Sequence, residues 1–259
     1  MTFTANGLEA LILGQLSTYA WPFFRITGLL MIAPVFGTRL VPARVKIALA
    51  VALTAAIAPA VEAPQDAGFS VASALIAAHE LLLGIVLGFV LQLLFDALVI
   101  AGQTIAMTMG LGFATMVDPQ RGVSVPLLSQ FFVILGILVF LALDGHLALL
   151  ALLAESYELM PIGVPLGRDS VWSLVVEGGE MFAGALRLAL PAVTALLVVN
   201  LAFGVMSRAA PTLNLFAVGF PTALLLGLVF LLLDIGGVVN VFSALVDDAF
   251  VRLGAWLAG

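Results

Sequence analysis

Apolar runs separated by short polar breaks make up most of this chain. They cover approximately residues 8–34, 45–61, 71–109, 125–153, 181–206 and 213–246, each near or above the roughly 20 residues that an α-helix needs to cross a bilayer core. The pattern predicts an all-α protein of about six membrane-type hydrophobic elements, some long enough to be bent hairpins. Arg39, Arg44 and Lys46 lie between the first two runs, and Glu62 and Asp66 between the second and third. Lysine and arginine collect on the cytoplasmic side, so the first connection is expected inside, with Arg121 and Arg208, and both termini outside.

The most informative interruption is residues 101–123, AGQTIAMTMGLGFATMVDPQRGV. Gly110 and Gly112 each weaken a helix by about 1 kcal/mol, and Asp118-Pro119 forbids simple continuation. Asp118 can cap a new helix with Pro119 in its first turn. Between the breaks the residues are small or apolar: Leu111, Phe113, Ala114, Thr115 and Met116, with Met107 and Met109 just before. Backbone that leaves the helix at membrane depth survives only when buried in protein or lining a cavity, so this segment is expected to face a cavity.

Other polar positions are spaced for helix packing. Glu80, Gly84, Gly88, Gln92 and Asp96 recur at every fourth residue, a ridge whose GxxxG pair lets a neighbouring backbone approach. Its two carboxylates would be costly in lipid and should find an arginine, a backbone donor or water. Arg25, between Pro22 and Pro34, is expected to face protein or to pair with a carboxylate of a neighbouring helix. Residues 161–167, PIGVPLG, read as a rigid surface linker. Glu177 and Glu180 open the fifth run, and Arg187 follows seven residues after Glu180, near enough to one face for a network inside the bundle or across to another subunit. Pro191 and Asn200 predict that this run is kinked and protein-facing. Asn200, Gly204 and Arg208 step by four before Pro211 closes the helix, which reads as a bend held by side-chain hydrogen bonds and presented to a partner.

Composition agrees with the pattern. The chain has 259 residues, 63% hydrophobic and 9% charged, against about 25% charged in soluble domains. No long polar stretch separates a second domain, so residues 1–259 are read as one helical membrane domain. Net charge is −6 with no basic run, which argues against nucleic acid. With no cysteine, and two histidines outside any HExxH pattern, no metal or cofactor is expected. No positive charge precedes Arg25, so the first run lacks the basic region of a cleavable signal and is expected to remain. Neither a GxSxG nor a phosphate-loop motif is present, which argues against an enzyme.

Taken in order, several motifs resemble the FliR family of flagellar export-gate proteins, whose injectisome counterparts are called SctT. They are Arg25 with APVFG at 33–37 and Val41-Pro42; Glu80 with Gly84 and Gly88; Ala101-Gly102; MGLGFATM at 109–116; Asp118-Pro119; Asp144-Gly145-His146; Ser156; and the block from Asn200 to Pro221. The resemblance implies a FliP-like portion followed by a FliQ-like hairpin. It implies assembly with FliP and FliQ beside FlhA and FlhB, in the inner membrane at the flagellar basal body, with the core complex displaced towards the periplasm. It also implies that Gly110 to Met116 form a plug loop in a channel for exported flagellar subunits. Such a plug is physically apt, because apolar side chains exclude water and glycines give the backbone freedom to move aside.

A competing reading is a secondary transporter or ion channel for small solutes, which also uses broken helices and buried carboxylates. On that reading, neutralising Glu80 and Asp96 would abolish ion-coupled uptake. The inverted repeat common in such transporters is not evident in the sequence.

Overall fold

A computed structural model describes residues 5–38, 41–62, 64, 70–111, 127–165, 167–209 and 215–259. The expectations placed on Arg39, Asp66, Gly112, Phe113, Ala114, Thr115, Met116, Asp118, Pro119, Arg121 and Pro211 lie outside these residues. The described elements are helical: α1 (Ala5–Ile32), α2 (Ala43–Ile57) with a 3₁₀ turn at Ala58–Ala60, α3 (Val71–Thr108), α4 (Leu127–Ala142), α5 (Gly145–Leu159), α6 (Arg168–Ala209) and α7 (Leu215–Ala258).

Each apolar run corresponds to a helix, except that the fourth is divided. The chain turns between α4 and α5. Asp144 supplies the turn in a left-handed conformation, φ 54°, which aspartate tolerates better than most residues. Its carbonyl then accepts from the amides of Leu147 and Ala148 at 2.8 and 3.0 Å.

The last two helices are much longer than the runs that predicted them. Helix α6 starts at Arg168 rather than near 181, and α7 reaches Ala258 rather than ending near 246. Charges end a hydrophobic run without ending a helix, since the backbone bonds remain internal. Four helical stretches among the described residues are long and apolar enough to cross a membrane: Ala43–Ala60, Val71–Thr108, Trp172–Ala209 and Gly219–Ala258. The bent pair α4–α5 makes a fifth if counted as one span.

Packing divides the chain into two compact units. The first comprises residues 1–93, 144–177 and 248–259. Ile26, Leu29, Leu30, Leu83, Leu87, Leu149, Leu153 and Leu253 are buried there. Its tightest junction is between α1 and α3. A Cβ on Gly84 would collide with the Arg25 carbonyl and lie 2.8 Å from the Leu29 nitrogen, and one on Gly88 would lie 2.8 Å from the Ala33 nitrogen. On the opposing helix, a Cβ on Gly28 would collide with the Leu81 carbonyl. The GxxxG pair therefore brings two backbones together, as its spacing predicts.

The second unit comprises residues 94–143 and 178–247. Phe95 packs edge-on against both Phe140 and Phe242, with ring centroids 5.7 and 5.6 Å apart. Gly102 and Gly136 leave room for the Ser129 backbone and the Leu98 side chain, and the Ser129 hydroxyl donates to the Val99 carbonyl at 2.9 Å.

Candidate functional site

Two places in the described chain bring together residues that the sequence singled out. The first is a buried arginine. Helix α1 carries Arg25 into the first unit, where the side chain is fully buried. A buried guanidinium is tolerated only if its donors are satisfied. Its Nε donates to Glu80 Oε2 at 2.7 Å. One terminal nitrogen donates to the Ser156 carbonyl at 2.8 Å and to the Ser156 hydroxyl at 3.1 Å, and the other donates to the Met160 carbonyl at 2.9 Å. The guanidinium also lies 4.3 Å from the centre of the Tyr157 ring, a distance that suits a cation–π contact.

The surrounding residues are held in turn. The Tyr157 hydroxyl donates to the Pro22 carbonyl at 3.1 Å, and the Gly163 amide donates to Glu80 Oε1 at 3.3 Å. The cluster thus joins α1, α3, α5 and the chain beyond α5. Arg25 finds a neighbouring helix's carboxylate, as expected, and the partner is Glu80. Sequence reasoning missed Tyr157, Met160 and Gly163. Tyr157 adjoins Ser156, which the motifs included, but Met160 and Gly163 act through backbone atoms and carry no sequence signal. The PIGVPLG linker is correspondingly more than surface. Ile162 is buried, and Gly163 closes the coordination of Glu80.

The second place is the end of α3, in the second unit. The helix stops where Gly110 predicts, with φ 86°. The Gly110 amide donates to the Met107 carbonyl and the Leu111 amide to the Ala106 carbonyl, both at 3.0 Å. These two bonds around a left-handed glycine form a Schellman turn, whose positive φ favours a residue without a side chain at Gly110. Met109 is buried, and Leu111 half-buried.

Of the remaining candidates, Asn200 reaches the end of α3, its side-chain amide donating to the Thr108 carbonyl at 3.4 Å. Asp96 is half-buried in the second unit. Arg187 is exposed and has no ion-pair partner among the described residues. Glu177 pairs instead with Arg252, at 3.0 Å. Glu177 is thus engaged within the chain, because the extended α7 carries Arg252 beside it. Next to that pair is a cavity of about 420 Å³ lined also by Val90, Leu174, Leu253 and Trp256. Pro191, Asn200 and Arg208 are exposed in this chain, and α6 runs unbroken through Pro191. The Thr194 hydroxyl donates to the carbonyls of Leu190 and Pro191 at 2.7 and 2.9 Å.

Comparison with known proteins adds an independent line. Residues 16–249 match the model of the family described as bacterial export proteins, family 1. The chain is 41% identical over 217 residues to flagellar biosynthetic protein FliR of Escherichia coli (strain K12), covering 83% of each. It is 34% identical over 241 residues to the protein of the same name from Aquifex aeolicus (strain VF5), covering 91% of this chain and 92% of that one. With the protein of that name from Pectobacterium carotovorum it shares 42% identity over 213 residues, 82% of each.

Proposed function

This chain belongs to family 1 of the bacterial export proteins, the FliR family, and from that membership we propose that it is a subunit of the flagellar type III secretion export gate. Members of this family are non-enzymatic components of export. On our reading the chain assembles with FliP and FliQ, beside FlhA and FlhB, into a channel for unfolded flagellar subunits in the inner membrane at the basal body. Residues Gly110 to Met116 close that channel at rest.

The observation that carries this reading is the stop at Gly110. A 38-residue helix, α3, ends in a glycine-specific turn, and the sequence that follows offers only small or apolar side chains until Met116. A closed export pore must exclude water and ions yet admit cargo of changing shape, including helices about 10 Å across. Apolar contacts adapt to such cargo because they are not directional. A hydrogen-bonded closure would have to match each passing residue.

The test of the assignment is recovery of the tagged protein from its native membrane. FliP and FliQ should copurify in fixed ratio. A solitary protein that transports small solutes in vesicles would overturn the reading and favour a transporter.

A further inference from the structure

We propose that α6 and α7 together fix the end of α3, with Asn200 and Gly227 as the positioning residues for the segment that leaves it. The inference rests on the stopper reading for its consequence, but its geometry lies wholly within the second unit.

The last four carbonyls of an α-helix have no partner inside the helix. At the end of α3 these are the carbonyls of Ile105, Ala106, Met107 and Thr108. The Met109 amide bonds to Ile105 at 2.9 Å, and the Schellman turn satisfies Met107 and Ala106. The Thr108 carbonyl receives none of these bonds, since the amides of Met109, Gly110 and Leu111 go to Ile105, Met107 and Ala106. The side-chain amide of Asn200, on α6, donates to that carbonyl at 3.4 Å. Asn200 heads the row of small and polar residues that continues through Gly204 and Arg208 on α6, and the Thr108 carbonyl gives its amide a partner.

Helix α7 holds the next residue. Met109 is almost completely buried, and the place where a Cβ on Gly227 would stand lies 2.7 Å from Met109 Cγ and Cε and 2.9 Å from its sulfur. Gly227 is therefore a notch cut for Met109, directly before the left-handed Gly110. One bond and one notch grip consecutive residues, so a displacement of α6 or α7 at this level passes to the root of the stopper.

The chain has no cysteine, so Leu111→Cys introduces a single thiol that leaves both attachments intact. In the complex with FliP and FliQ, this thiol should react slowly with a maleimide. Asn200→Leu and Gly227→Ala should each accelerate the reaction by roughly fivefold or more, the population change expected from one lost or overpacked contact. Asn200 is exposed, so its substitution leaves the core packed. Unchanged labelling in both variants would overturn the attachment. In the same complexes without the reporter, both substitutions should raise resting ion conductance, and neither should add to the leak of a 110–116 deletion. Leaks that do add would show that the residues act elsewhere and would overturn the proposal. A deletion that fails to leak would remove the stopper reading, while the labelling rates would still decide the attachment.

Discussion

At the scale of single residues, the largest energetic consequence belongs to the buried Arg25–Glu80 pair. Both side chains are fully withdrawn from solvent, so removing one leaves the other charged group buried without its counterpart. Glu80→Ala is expected to cost about 3–5 kcal/mol. Glu80→Gln, which can still accept from Arg25 Nε, should cost less. The contrasting pair is Glu177–Arg252, whose side chains are 16% and 32% exposed. There Glu177→Ala should cost no more than about 1 kcal/mol. Thermal unfolding of the detergent-solubilised protein separates the two cases, and equal losses at both sites would contradict the account. Val35, with φ 70°, is a second local feature, since a β-branched residue is disfavoured in that region. It sits in the turn after α1, where the Gly37 carbonyl accepts from Lys46 Nζ at 2.9 Å.

At the scale of elements, the junction of α1 with α3 depends on glycines meeting backbone. Gly84→Ala would drive a methyl group into the Arg25 carbonyl, and backbone cannot turn aside as a side chain can. A loss of about 3 kcal/mol, the upper part of the overpacking range, is expected, together with loosening of the arginine cluster. Gly254→Ala on α7 meets nothing within 4 Å, so it should be neutral or stabilising by up to about 1 kcal/mol through helix propensity. Unfolding measurements on the two variants check the contrast. The sequence made this junction legible because a four-residue repeat of polar and small residues has a direct packing meaning. It made the stop at Gly110 legible because glycine suits the left-handed end of a helix. The lengths of α6 and α7 were not legible. Hydropathy marks where lipid could be, whereas these helices continue past Glu177, Asp247 and Asp248 on their backbone bonds. The grip of Asn200 and Gly227 on α3 was also hidden, since it joins positions about 90 and 118 residues distant in sequence through a carbonyl and an absent side chain.

At the scale of the whole molecule, the chain leaves much apolar surface uncovered. On α6, Phe182, Leu186, Leu190, Leu197, Leu201 and Val205 are exposed at helical spacing, and on α7 Leu225, Leu228, Leu232 and Leu233 are exposed. Faces of this kind are covered by lipid or by other subunits, which agrees with a protein that works inside a larger membrane assembly. The central claim is that this assembly is a channel and that residues 110–116 keep it shut. The most direct measurement is the resting ion conductance of the complex with FliP and FliQ in planar bilayers, with the native segment and with residues 110–116 deleted. The account predicts a tight native complex and a leaking deletion, with assembly preserved in both. An intact complex whose conductance is unchanged by the deletion would contradict it.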